Sequence, residues 1–181
     1  TFLASVPSLG CAVFDARAAG PPCGLPTGLA AGHGSLENER YRVELHGTGD
    51  VARIFDKRLG TEILEAPLAL QLLPDRSSKF PAWEIHHSDV MAEPAPVRRL
   101  LGSRIVETGP ARAALELRRA ARGSTLVQTI RLAAGDAGDR IEIDNRLEWR
   151  TWGRMLKAAF PVGQDDAVAH YDLGAGGGER G

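Results

Sequence analysis

Glu142 and Asp144, in the stretch RIEIDNRLEW, are the carboxylates whose spacing most invites acid–base chemistry. Two positions apart on a strand, they would share a face at roughly 7 Å, a separation a glycosidase carboxylate pair can use. Their neighbours Ile141, Ile143 and Leu147 need the inner face, so the two acids are expected on the solvated one. His86, His87 and Asp89 raise a metal reading. On a strand His87 and Asp89 would share a face while His86 pointed away, leaving two ligands where zinc takes three or four. His33, His46 and His170 fall in a Gly-rich segment, a turn and a strand, and no metal site is expected. GAGGGERG departs from a phosphate-binding glycine loop, because Glu179 stands where the third glycine belongs. Trp149, Trp152, Met155, Leu156 and Phe160 read as core, although aromatic faces are also what sugars pack against. No Ser/His/Asp or Cys/His set carries a supporting signature.

The elements that would position these residues are strands. In LENERYRVELHGTGDVARIFDKRLG, Tyr41, Val43 and Leu45 alternate with Arg42, Glu44 and His46, the period-two pattern of a half-buried strand. His46-Gly47-Thr48-Gly49-Asp50 supplies a hairpin turn. Val51, Ile54 and Phe55 resume the apolar side, and Asp56-Lys57-Arg58 forms a charged exit. Further strands are expected at 68–73, 83–90, 101–107, 111–120, 125–132, 140–149, 154–161 and 167–173, with Gly- and Pro-containing turns between them. The segment at 111–120 is Ala- and Arg-rich and has helical propensity. Even so, Ala111, Ala113, Leu115, Leu117 and Arg119 alternate with Arg112, Ala114, Glu116 and Arg118, and the period predicts a strand. The pattern as a whole predicts an all-β, antiparallel β-sandwich.

Residues 2–15 read as two short strands about a turn at Pro7-Ser8-Leu9-Gly10, the end of a preceding small β domain. Residues 16–34 are Ala/Gly/Pro-rich and read as a linker, and 35–181 as a C-terminal sandwich domain. The 181 residues carry a formal net charge of −1, which implies no general attraction to nucleic acid or to a membrane surface. No apolar run of roughly 18 residues is present to span a bilayer. The N-terminus lacks the basic and apolar regions of a signal peptide and an initiator Met, so a fragment of a cytoplasmic protein is expected. Cys11 and Cys23 could bridge, but they read first as ordinary thiols in a reducing compartment.

Several motifs in order carry a resemblance that the spacing alone does not. Val6-Pro7-Ser8-Leu9-Gly10, Leu36-Glu37-Asn38, IFDKRLGTEIL, PAWEIHHSD, ETGPARAALEL, STLVQTIRL, WGRMLKAAFPV and AHYDLGAGGGER together resemble the C-terminal region of glycoside hydrolase family 38 α-mannosidases. The resemblance covers nearly the whole chain outside residues 16–34. It implies a large, galactose mutarotase-like super-sandwich and a parent enzyme that is a zinc-dependent retaining hydrolase of terminal α-mannosides. It also places the zinc ligands and the nucleophilic aspartate in an N-terminal catalytic domain. No catalytic residue, metal ligand or zinc is therefore expected on this chain. The implied partners are that catalytic domain and, through it, mannose-containing glycans; open strand edges add possible homo-oligomer formation. By the same resemblance Glu179 and Arg180 are expected at the rim of the sugar pocket, with Trp83 and Glu84 as further rim candidates. The alternative is a stand-alone carbohydrate-binding or interaction module.

Overall fold

A computed structural model describes residues 1–18, 20, 26–81, 83–163, 168–172 and 176–180. Its strands are β1 (Ala30–Gly32), β2 (Ser35–Glu37), β3 (Tyr41–Leu45), β4 (Val51–Asp56), β5 (Thr61–Glu62), β6 (Ala69–Pro74) and β7 (Ala95–Pro96). They continue as β8 (Arg99–Thr108), β9 (Arg112–Ala121), β10 (Ser124–Ala133), β11 (Glu142–Glu148), β12 (Arg154–Ala159), β13 (Ala169–Asp172) and β14 (Gly177–Arg180). Strands β1 to β5 form one sheet in sequence order; a second runs β11-β10-β9-β8, a third β12-β6-β7, and β13 pairs with β14. Every named pairing is antiparallel. The fold is an all-β antiparallel sandwich.

Its core follows from alternation. In β10 every second residue from Ser124 to Leu132 is buried. Leu36, Tyr41, Val43, Val51 and Ile54 of the first sheet pack onto Ala113, Leu115, Leu117, Ile130 and Leu132 of the second. A smaller cluster of Leu70, Leu72, Val97 and Leu126 joins the third sheet to β10. β9 is a strand despite its composition, because burying one alternating face outweighs the few tenths of a kcal/mol per residue that separate helix propensities.

Three local expectations are corrected. Residues 83–90 are not a strand: Trp83 and Glu84 both donate backbone N–H bonds to the Phe80 carbonyl, and a single helical turn, α1 (His87–Val90), follows. The reason is Asp89, buried at 1% exposure and accepting the Arg76 amide at 2.9 Å, which draws the chain inward. Residues 2–15 turn at Pro7–Gly10, with Phe2 and Phe14 rings 5.5 Å apart, yet no ladder forms between the two arms. Within the segment read as a linker, β1 pairs with β2, and Ala31 packs against the core.

Two polar joints hold the β3–β4 hairpin, one at each end. At the turn, Arg119 of β9 lies on the buried face at 1% exposure and donates Nη2 to Asp50 Oδ1 at 2.5 Å and to the Val97 carbonyl. One guanidinium thus ties a turn of the first sheet to the second and to the chain leaving β7. At the open end, buried Asn38 makes four bonds. Its Nδ2 donates to the carbonyls of Ala133 (2.9 Å) and Gly138 (3.0 Å), and its Oδ1 accepts from the amides of Arg40 (3.0 Å) and Tyr41 (2.6 Å).

The charged exit completes this second joint. Asp56 Oδ1 accepts the amides of Arg58 and Leu59, Lys57 Nζ donates to the Asn38 carbonyl, and Arg58 grips Asp139 with both Nη atoms. Hydrogen bonds to Arg42 and Lys57 hold the Glu37 carboxyl below its ordinary value, and the Arg58 fork does the same for Asp139. Burial alone would raise the Asp56 carboxyl, but the Leu59 and Arg58 amides and Arg40 more than offset it, and the net direction is down. All three groups favour the folded state in their ionised form. Their contribution is complete above the unfolded carboxylate pKa of about 4 and disappears as pH falls through the lower folded values. A thermal midpoint that stays level from about pH 7 to 5 and drops steeply from about pH 4 to 2 is expected. A level midpoint down to about pH 2 would refute the assignment.

Candidate functional site

The two carboxylates with suggestive spacing each have a separate cationic neighbour. Asp144 is solvated, and each acid is engaged separately, Glu142 with Arg140 at 2.7 Å and Asp144 with Arg131 at 3.5 Å. Ile143 packs against the core as the alternation requires, whereas Leu147 is 45% exposed, because β11 is an edge strand whose far end leaves the core. His86 and His87 are exposed on either side of the start of α1, while Asp89 points inward with Arg76 Nε 3.3 Å from its Oδ1. The helical turn, replacing the expected strand, separates these three side chains. Among the described residues no three His, Cys, Asp or Glu side chains converge on a possible metal position.

Glu179 and Arg180 lie on β14, where their backbones pair with His170 and Ala169 of β13. Their side chains fall outside the described residues. Trp83 stands 91% exposed on the loop before α1. Glu84 beside it accepts a hydrogen bond from Ser77 Oγ at 3.1 Å, and Ser77 Oγ also accepts the Phe80 amide. This pairing folds the loop back towards the end of β6.

Ser77 faces a cleft of about 780 Å³, formed where the chain leaves β6 and where it enters β12. Asp75, Ser77 and Pro81 make one wall; Trp149, Arg150, Trp152 and Arg154 are on the other. The two walls are joined by the backbone, since β6 and β12 pair in register from Arg154↔Pro74 and the Asp75 amide bonds the Gly153 carbonyl at 3.1 Å. Gly153 has φ +60°, a left-handed conformation that lets the chain reverse between Trp152 and Arg154.

The tryptophan-bearing wall is pinned from behind. Thr151 is buried, its Oγ1 2.6 Å from Ser124 Oγ and 3.2 Å from the carbonyls of Ala121 and Arg122. Ser124 Oγ accepts the Arg150 amide at 2.7 Å. With Thr151 turned inward, its neighbours Trp152 and Arg150 are turned out, and Trp152 is 96% exposed. The expectation that both tryptophans belong to the core is thereby corrected: Trp149 is 40% exposed and Trp152 stands in solvent. Asp75, Ser77, Arg150 and Arg154 were not singled out by sequence reasoning. The run WRTWGR held the available signal, with aromatic, cationic and turn residues within one short stretch.

Fold and cleft together define a β-sandwich domain that carries a concave surface of mixed aromatic and polar character. Residues 36–181 match the glycosyl hydrolases family 38 C-terminal domain, and the chain belongs to that family. A search of curated proteins found no match.

Proposed function

We propose that this chain is the C-terminal β-sandwich of a zinc-dependent, retaining α-mannosidase and is itself non-catalytic, serving to support the catalytic domain. The observation that carries the reading is the family match, which spans the sandwich from β2 onward. The zinc that the family implies finds no fitting donor set among the described residues, and in this reading it is held by another domain of the enzyme. What this chain supplies is a rigid scaffold. Both ends of its leading hairpin are locked by buried polar groups, and its loops at the β6 and β12 ends are fixed by backbone and hydroxyl bonds.

The test is turnover of an aryl α-mannoside by the intact polypeptide, followed by proton magnetic resonance. The expected first product is the α-anomer, and activity should fall on chelation and return with zinc. Residues 1–181 alone are expected to give none. Intact protein that cleaves only another glycoside, or activity residing in residues 1–181 alone, would overturn the proposal.

A further inference from the structure

Three features of the cleft between Asp75 and Trp152 point to a ligand. The first is an orphan acceptor: Asp75 Oδ1 is shielded from solvent and has no hydrogen-bond partner among the described residues. A buried carboxylate oxygen without a donor is costly, so such a group is a place where a donor is expected to arrive. The second is a half-buried cation, Arg154, which lines the same cleft and whose guanidinium makes no ion pair or hydrogen bond among the described residues. Arg150 beside it is already engaged by Glu148. The third is a pair of exposed tryptophans, Trp149 and Trp152, the latter turned outward beside the buried Thr151.

The chemistry of these groups narrows the ligand. An orphan carboxylate disfavours phosphates and other anions, which bring charge and few donors. A guanidinium disfavours cations. A neutral polyol satisfies both, because each hydroxyl gives one hydrogen bond and accepts others. Indole faces pack against the apolar C–H face of a pyranose ring while the ring's rim of hydroxyls stays free for polar partners. The volume, about 780 Å³, falls within the range of small-molecule sites and has room for two sugar rings.

We infer that the cleft lined by Asp75, Ser77, Trp149, Trp152 and Arg154 binds a neutral saccharide. One ring stacks on Trp152, and hydroxyls donate to Asp75 and accept from Arg154. The walls are tied by the β6–β12 register and by Thr151, so the ordering needed is confined to a turn of the Asp75 side chain that brings its shielded Oδ1 to a hydroxyl. The choice of mannose as the sugar rests on the α-mannosidase reading; the position of the site does not.

The experiment is hydroxyl-radical footprinting of the intact polypeptide, read by mass spectrometry at Trp149 and Trp152. The probe is a thio-linked α-mannobiose, which resists hydrolysis. Both tryptophans are expected to oxidise readily without the sugar and to be protected with it. Trp152→Ala, a change at an exposed position that leaves the core intact, should raise the probe concentration needed to protect Trp149 about tenfold. Asp75→Ala should act in the same direction. Equal oxidation with and without the probe would overturn the inference. So would a Trp152 already protected without sugar, since the face would then be covered by another domain or a second copy. Aryl α-mannoside turnover is assayed separately. Protection without turnover removes the mannosidase reading and keeps the cleft; turnover without protection does the reverse.

Discussion

Arg119→Ala is expected to lower the free energy of unfolding by about 3–5 kcal/mol, the usual result of breaking a buried ion pair from one side. The guanidinium is 1% exposed and is the partner of both Asp50 and the Val97 carbonyl. Without it, Asp50 Oδ1 and the Val97 carbonyl lose a buried donor together. The companion experiment separates the worth of the pair from the penalty of orphaning it. Arg119→Met combined with Asp50→Asn removes both charges while keeping an acceptor for Thr48, whose hydroxyl bonds Asp50 at 3.0 Å. That double variant should recover most of the loss, because a buried pair is often close to neutral against a well-packed apolar replacement. Urea unfolding of the variants gives the comparison. A single variant within about 1 kcal/mol of the parent would mean that Arg119 is not the joint between the sheets.

Gly138→Ala should be nearly as damaging at the other end of the hairpin. A Cβ built on Gly138 would lie 2.3 Å from the Ala133 carbonyl oxygen and 2.6 Å from Asn38 Nδ2. Neither neighbour can yield: one is backbone, and the other is a buried amide with all four of its bonds made. The methyl group must displace one or both of the Nδ2 bonds, and the expected loss is about 2–4 kcal/mol. Asn38→Ala removes the same bonds from the opposite side. The two substitutions should therefore combine to much less than their sum. Full additivity in denaturant unfolding would show that Gly138 and Asn38 act independently.

How far these features could be read from the sequence depended on how local their causes are. β10 was legible because strand period and burial agree residue by residue; β9 follows the period except at Ala114, buried on the opposite face, and the period even placed Arg119 on the apolar face beside Leu115 and Leu117. Its partner Asp50 was hidden, 69 residues away on another sheet. β1 was illegible for the opposite reason: Ala30-Ala31-Gly32 has no strand propensity and is extended where β2 lies beside it and Ala31 packs against the core. The stretch from Trp83 to Val90 misled, since its alternating apolar residues gave no sign that Asp89 would be drawn to Arg76. Asn38 was visible as part of a motif, and its task was not. The cleft was half legible. Its tryptophans stood out as aromatic residues, but the buried Thr151 that turns Trp152 outward depends on Ser124, on a different strand.

The joint around Asn38 also bears on the order in which the chain can fold as it is synthesised. Asn38 meets Ala133 and Gly138 across 95 and 100 residues of sequence, and Arg58 meets Asp139 across 81. The leading hairpin therefore emerges from the ribosome well before the residues that secure its open end. At about 5–20 residues per second, it waits several seconds with Tyr41, Val43 and Ile54 uncovered. Contacts of this separation make folding slow and leave nascent strands open to mispairing. The charged outer face of the hairpin, where Arg42 pairs with Glu37 and Arg53 with Glu44 and Glu62, gives the waiting strands one side that does not attract another chain.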